Sequence, residues 1–420
     1  MTGDRRPRPH NTDRGHGMQD NTTELWLRRG EERRLKAGHL WVFSNEVDTE
    51  KSPMKAFTPG QTTIIREHTG RPMGLAYVNP HSLLCARLIS RDPERQLDES
   101  LLVHRLNIAL DLRERLFGQD CYRLVHGDAD GLSGLVVDRF KDTCVVQINT
   151  AGMERVKDAI IAALRRVIKP RHILIRADTS IREMEGLENY IEWVDGNAPD
   201  KLEIEENGCR FEASADAGQK TGWYYDHRAN RARLAGYVKG RSVLDVFSYV
   251  GAWGVQALAA GASSATCVDS SSDALDLAAR NADLNNVGDK LTCIEGDAFN
   301  VLQALRDDKQ KFDVVIVDPP AFVKRKKDHK AGLAGYRRLN QLAMQMMEKD
   351  GILISASCSQ QVSGDELLRE ILGAARHLDR SLQVIETGHQ AGDHPVHPAI
   401  PETRYLKAFF CRVMPAWSMP

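Results

Sequence analysis

The chain has 420 residues, with 57 Lys and Arg against 58 Asp and Glu, and a net charge of −1 that excludes a uniformly basic nucleic-acid binder while leaving local charge free to act. A composition of 42% hydrophobic and 27% charged residues is that of an ordinary globular protein with room for two or three domains. No apolar run reaches the roughly 20 residues that cross a bilayer, and the polar N-terminus lacks the apolar core of a signal peptide, so a cytoplasmic protein is expected.

Residues 1–21 are rich in Arg, Pro and Gly without periodicity and read as a disordered tail. From 22 to 96, short segments broken by Gly and Pro (ELWLRR, HLWVFSNEV, QTTIIRE, MGLAYVN, LLCARLI) predict a small, mainly β domain. It carries Arg28, Arg29, Arg33, Arg34 and Lys36, which read equally as a solvated face or an RNA contact because Glu31 and Glu32 interleave them. Leu101, Leu102, Leu106, Ile108, Leu110 and Leu112 have helical spacing, and 97–120 is expected to be a linking helix. Strands at GLVVDRF, TCVVQIN and HILIRAD around a helix from Met153 to Val167 predict a small α+β domain over 121–200. From 201 to 420, strand and helix alternate as in a doubly wound sheet, so the fold class is multidomain α/β. Eight cysteines lack Cys-x-x-Cys spacing, and Cys144, Cys267 and Cys293 fall in expected strands; they read as buried, reduced thiols, and no metal is expected.

The most informative stretch is SVLDVFSYVGAWGVQALAAG, Ser242 to Gly261, which reads as a buried strand, a glycine-bearing turn and a helix. Gly251 and Gly254 are expected to let the backbone turn closely against a ligand. The Gly-x-Gly-x-x-Gly of dinucleotide enzymes lacks one glycine here. With Asp245 ending the first strand, the pattern is closer to that of enzymes using S-adenosylmethionine (SAM), which has no pyrophosphate to cradle. Asp269 ends the second strand and suits a ribose diol; Asp297 follows the third and suits the adenine amino group. Any one of these acids is more simply a helix cap, but three at successive strand ends favour a ligand.

After a fourth strand, FDVVIV, comes Asp318-Pro319-Pro320-Ala321-Phe322, a stiff turn that presents an acid to a nucleobase. The basic run Lys324, Arg325, Lys326, Lys327 follows and is expected to contact phosphates. A fifth strand, GILISA, runs into Ser357-Cys358-Ser359. Methylating an amino group needs no protein nucleophile, whereas pyrimidine C5 becomes nucleophilic only after attack at C6. A thiolate at Cys358 is the natural attacker.

These residues resemble the bacterial 23S rRNA 5-methylcytosine methyltransferase I family, from about Leu25 onward. The resemblance rests on AGHLWVFSNEV, DGLSGLVVDRF, GQKTGWYYDHR, VLDVFSYVGAWG, VDPPAFVK, SCS and DHPVHPAIPETRYLKAF. It implies a PUA domain, a central α+β domain and a Rossmann-like SAM domain, with 23S rRNA or a ribosomal assembly intermediate as partner and a homodimer among the assemblies. It further implies Gln219 and Thr221 at the SAM site beside Asp245, Gly251, Asp269 and Asp297, with Cys358 as nucleophile and Asp318 holding the base. Trp223, Tyr224 and Phe322 are candidates for stacking on a base, against core packing for at least one of them. The competing readings are an RNA exocyclic-amine methyltransferase built on the Asp318 turn, and a non-catalytic RNA-binding assembly factor.

Overall fold

Four β-sheets follow the four runs of strand-forming sequence in a computed structural model that describes residues 24–195, 199, 201–215 and 221–416. The tail 1–21 lies outside the described residues. The first unit contains β1 (Leu25–Trp26), α1 (Glu32–Lys36), β2 (Trp41–Phe43), β3 (Gln61–Arg66), β4 (Pro72–Val78) and β5 (Leu84–Ser90), with sheet order β1-β3-β4-β5-β2. Leu25, Val42, Ile65, Val78 and Cys85 fill its core. Its basic cluster is partly neutralised from within, by Arg34–Glu46 at 3.1 Å and Lys36–Glu67 at 2.5 Å.

Helix α2 (Glu99–Leu116) starts where Asp98 accepts the Leu101 N–H at 2.9 Å. Its buried stripe is Leu101, Leu102, Leu106, Ala109 and Arg113, while Ile108 and Leu112, expected on the apolar face, are 59% and 37% exposed. At 3.6 residues per turn they fall outside the stripe that continues through Ala109 and Arg113. The leucines pack into the next unit's core, formed by β6 (Cys121–His126), β7 (Leu135–Phe140), β8 (Thr143–Ile148), α3 (Ala151–Arg155), α4 (Lys157–Val167), β9 (His172–Ala177), α5 (Ser180–Met184) and β10 (Tyr190–Trp193). The helix expected over Met153 to Val167 is interrupted at Val156, where φ is −110°. In the sheet β10-β9-β8-β7-β6 the β8/β9 pair is the parallel one, and the two helices supply its crossover.

The first unit docks on this sheet through a buried, fully bonded contact. Tyr77 of β4 sits in the central core and donates to the Ser133 carbonyl at 2.8 Å, while Glu185 accepts from Asn79 at 2.7 Å and pairs with Arg87 at 2.9 Å.

The hairpin β11 (Lys201–Glu206) and β12 (Cys209–Ser214) turns at Asn207 and Gly208, with φ of 51° and 80°, and leads through α6 (Arg228–Ala232) to the last sheet. That sheet is built from β13 (Ser242–Val246), α7 (Ala252–Ala259), β14 (Ser264–Asp269), α8 (Ser272–Leu284), β15 (Leu291–Glu295), α9 (Ala298–Asp307), β16 (Phe312–Val317), α10 (His329–Gln345), β17 (Met347–Ser357), α11 (Gly364–His377), β18 (Arg380–Gly388) and β19 (Lys407–Pro415). The order is β15-β14-β13-β16-β17-β19-β18, parallel except where β19 runs antiparallel to β17 and β18. The strict alternation expected to the C-terminus thus ends in an antiparallel pair. The strand order reverses between β13 and β16, so a ligand crevice opens at their carboxyl ends. Because β15 is an edge strand, Cys293 is exposed rather than buried as expected.

Gly152 in α3 lies against the Tyr77 ring, and a Cβ there would come within 2.2 Å of the ring's Cγ. Gly152→Ala is therefore expected to cost about 1–3 kcal/mol or more through overpacking, read as a lower urea midpoint; an unchanged midpoint would show that the two units are not held by this contact.

Candidate active site

The loop after β13 bends by a route the glycine count does not reveal. Phe247, Tyr249 and Gly251 all have positive φ, at 66°, 50° and 78°. Two of these left-handed residues are aromatic, and each costs about 1–2 kcal/mol relative to glycine in that conformation. The loop is held by its bonds: the Phe247 and Ser248 N–H groups both donate to the Val268 carbonyl, at 2.9 and 3.0 Å. Tyr249 N–H donates to Asp269 Oδ2 at 2.9 Å, and its hydroxyl to the Gly222 carbonyl at 3.2 Å. The close approach at the glycines is to protein: a Cβ on Gly251 would lie 2.9 Å from the Ala278 Cβ, and one on Gly254 2.7 Å from the Cys267 sulfur.

Asp245 is completely buried at the end of β13. Its Oδ2 accepts from Gly254 N–H at 3.0 Å and lies 3.8 Å from the Cys267 thiol, while Oδ1 has no hydrogen-bond partner among the described residues. Burial pushes its pKa up to about 7, and Asp318 and Asp269 add to the rise. Asp269 is half-buried and holds Ser271 N–H on Oδ1 at 3.0 Å in addition to Tyr249 N–H. Asp297 is exposed and caps α9, its Oδ1 accepting from Phe299 and Asn300 at 3.1 Å each.

Asp318 follows β16 at the strand-order reversal, its N–H 3.4 Å from the Val246 carbonyl of β13. Its two oxygens are held by two residues that sequence reasoning did not assign: His227 Nε2 at 3.2 Å and Trp253 Nε1 at 3.3 Å. The His227 tautomer is fixed from behind. Asn230, whose Oδ1 accepts from Arg233 at 2.9 Å, donates from its NH2 group both to the His389 carbonyl at 3.2 Å and to His227 Nδ1 at 3.1 Å. Nδ1 accepts, and Nε2 carries the proton toward Asp318. Burial lowers the imidazole pKa, but Asp318 and then Asp226 raise it further, to a net increase. The signal for His227 was present in GQKTGWYYDHR, a polar run embedded in buried sequence.

Cys358 stands one residue beyond β17, next to β16, so it and Asp318 share one end of two adjacent parallel strands. It is partly exposed, while Ser357 and Ser359 on either side are fully buried. The two serines explain the SCS motif: Ser357 donates to the Tyr336 hydroxyl at 2.8 Å, and Ser359 Oγ lies 2.9 Å from the same hydroxyl and accepts the Val323 N–H at 3.3 Å. The thiol loop is thereby tied to the turn that carries Asp318.

The remaining expected residues divide. Thr221 is buried, and its hydroxyl donates to Asp138 of the central sheet at 2.5 Å; Gln219 lies outside the described residues. Trp223, a candidate for stacking, is 2% exposed, bonds Glu206 at 2.9 Å and packs on Phe211, so it belongs to the core. Phe322 packs on Tyr336 at 4.8 Å between ring centres, and Tyr224 stands edge-on to Tyr249 at 5.6 Å. Lys324, Arg325, Lys326 and Lys327 are all exposed on the approach to α10, with Arg325 paired to Asp328 at 3.1 Å.

A crevice with three carboxylates at strand ends, one buried and half-bonded, repels a pyrophosphate and suits a ligand bearing positive charge and a diol. SAM, with its sulfonium, ammonium and ribose, has that chemistry. Comparison with known proteins agrees. The family model for S-adenosylmethionine-dependent methyltransferases matches residues 121–412, and a PUA-like domain model matches 25–91. A chain described as a methyltransferase complexed with SAH superposes with a TM-score of 0.80 at 21% identity, over 93% of this chain and 100% of that one. Another, described as SAM-dependent and from Streptococcus mutans, scores 0.78 with the same identity and coverage. These structural likenesses show the fold, and with the family model they make the chain a SAM-dependent methyltransferase. Proteins named ribosomal RNA large subunit methyltransferase I from Cronobacter sakazakii and Escherichia coli O157:H7 are each 37% identical over 398 residues, 94% of this chain and 100% of theirs. That identity over their whole length places the chain in the ribosomal RNA large subunit methyltransferase I family.

Proposed function

We propose that the enzyme methylates carbon 5 of a cytosine in large-subunit ribosomal RNA, with Cys358 as the nucleophile toward carbon 6. The observation that carries this reading is the placement of a partly exposed thiol and a carboxylate at the same end of β17 and β16, in a chain whose relatives are named for large-subunit ribosomal RNA. Bound SAM supplies an electrophilic methyl group. Cys358 sulfur would bond to C6, the displaced electron pair would reach C5, and C5 would take the methyl group as the methyl–sulfonium bond breaks to leave S-adenosylhomocysteine. Loss of the C5 proton then breaks the S–C6 bond and returns the thiolate. Asp318 accepts from His227 and Trp253, and a carboxylate has capacity beyond those two bonds to take the cytosine N4 amino group. The base has to leave its stack to arrive there. Asp245, Asp269 and Asp297, with Gln219 and Thr221 from the segment before α6, are assigned to the cofactor, while Gly251 is left to its packing against Ala278. The first β unit and the run Lys324, Arg325, Lys326, Lys327 are assigned to the RNA.

Cys358→Ala is expected to abolish methyl transfer while leaving SAM affinity within about twofold, since the thiol is no part of the cofactor pocket. The wild-type enzyme should form a covalent adduct with 5-fluorocytosine RNA, visible as a mass increase. A Cys358→Ala enzyme that still methylates cytosine C5 would end the nucleophile assignment, and methylation of an exocyclic amine would move the function to that class.

Neutralising Lys324, Arg325, Lys326 and Lys327 together is expected to weaken RNA binding and to reduce the slope of log K against log salt by about 0.7 for each single-strand phosphate that the protein no longer neutralises. An unaltered slope would make that run a solvated face.

Asp245 gives a pH signature. Its folded pKa is about 7 against 3.8 for an ordinary Asp, so the folded chain holds this proton more tightly than the unfolded one. Its contribution to the stability of the ligand-free chain therefore falls as pH rises from about 4 to 7. A cationic ligand favours the carboxylate, so SAM affinity should rise between about pH 6 and 8 with release of up to one proton, and Asp245→Asn should bind more weakly with a flat profile. Calorimetry in buffers of different ionisation enthalpy counts the proton; zero release by the wild type at pH 6 would remove Asp245 from the cofactor site.

A further inference from the structure

Lys407 opens β19 directly across from Ser357, the residue before Cys358. Its Nζ donates to the carbonyl of Ser359, the residue after Cys358, at 2.6 Å, and to the Tyr405 carbonyl at 2.9 Å. The ammonium is thus fastened to the residue after the thiol, and the Lys407 backbone lies across from the residue before it. It is partly buried, and among the described residues it forms no ion pair with a carboxylate. A desolvated ammonium bonded only to neutral carbonyls lacks a counter-charge. Cys358 and, from α11, Glu366 are the groups whose negative charge favours its protonated form.

Three phenols among the described residues also bear on Cys358. Tyr224 comes from the segment after β12, Tyr336 from α10 and Tyr405 from the stretch before β19. Burial pushes all three hydroxyls above their ordinary pKa, so they stay neutral at physiological pH. Behind them, Asp226 accepts from Tyr405 at 2.7 Å, and Asp318 bears on Tyr224; both acids oppose a thiolate. Lys407 is the cation that, among the described residues, bonds the chain directly beside Cys358.

We propose that Lys407 is the positioning residue that holds the Cys358 thiol in its anionic, nucleophilic form, an inference that rests on the nucleophile role assigned to Cys358 above. The same ammonium meets the thiolate again when the S–C6 bond breaks, so it acts on attack and release alike. Burial pushes the Lys407 pKa down to about 8, with Cys358 and Glu366 drawing it back up, so the amine is still mostly charged at neutral pH. Neither atom of the pair gains or loses a covalent bond to the other; the thiol proton leaves to solvent.

The test is the pH midpoint of Cys358 alkylation by iodoacetamide in the full chain with Cys293→Ser, which removes the exposed competing thiol. The midpoint is the readout because a more basic thiolate is also a better nucleophile, which masks changes in rate at one pH. Lys407→Gln and Lys407→Met should raise the midpoint by about one unit, a tenfold smaller thiolate fraction below it, and Lys407→Arg should restore it. SAM affinity, unchanged in all three, reports that the fold is intact. Midpoints that coincide across the series, or an Arg variant that behaves like Gln, would overturn the proposal. The two readings separate through Cys358→Ala: inactivity with an unmoved alkylation midpoint rejects Lys407 alone, while retained C5 methylation with a shifted midpoint rejects the nucleophile and leaves the ion pair standing.

Discussion

The arrangement of the site depends on one buried carboxylate outside it. Asp138 on β7 is fully buried and receives Arg123 through two bonds of 2.8 Å and the Thr221 hydroxyl at 2.5 Å. Arg123 in turn donates its N–H to Asp393 at 3.1 Å, in the stretch that leads to β19. The Asp138–Arg123 pair of the central sheet therefore holds both the segment that delivers Tyr224, Asp226 and His227 and the one that delivers Tyr405 and Lys407. Such a pair adds little net stability over an apolar alternative, but breaking it leaves a buried charge at a cost of about 3–5 kcal/mol. Its value here is registry: the catalytic sheet receives its side walls from two chain segments far apart in sequence, and the Asp226–Tyr405 bond joins them across 179 residues.

This dependence gives the central domain a physical reason to share one unit with the catalytic sheet. The family model spans both, from 121 to 412, and the buried contacts run the same way. Arg113 of α2, completely buried, binds Asp130 through two bonds and the Asp393 carbonyl at 2.8 Å, so even the helix that precedes the central sheet reports to the C-terminal stretch. Docking of the β unit uses Tyr77 and Glu185 instead, on other elements.

What the sequence made legible were features with short-range causes. Asp245, Asp269, Asp318 and Cys358 were legible because each breaks or ends a buried apolar run, and that break is visible in the residue pattern. The strained loop was not legible, since Phe247 and Tyr249 are residues that ordinarily avoid positive φ, and only the pairing of two N–H groups with Val268 explains how they are kept there. Gly251 drew attention as a ligand contact, yet the space it leaves is taken by Ala278 of the following helix, α8. Cys293 read as buried because strand order, which places β15 at the edge, is a long-range property. His227, Trp253 and Lys407 were missed for the same reason: each acquires its meaning from a partner remote in sequence.

Electrostatics divides the crevice into two halves. On the β13 and β14 side stand carboxylates, with Asp245 buried deeply enough that its charge is stable only near a cation. On the β17 and β19 side stand neutral phenols and one ammonium around a thiol. Asp318 sits at the seam, at the end of β16, neutralised in part by donors from both flanks: Trp253 from α7 and His227 from the segment before α6. In the proposed mechanism a cationic methyl donor and an anionic nucleophile impose opposite demands on their surroundings, and at physiological salt exposed charges are screened over about 8 Å. On the proposed reading, placing them on either side of a strand-order reversal, in a partly buried crevice, would let one sheet hold both charges close enough to act on a single flat base between them.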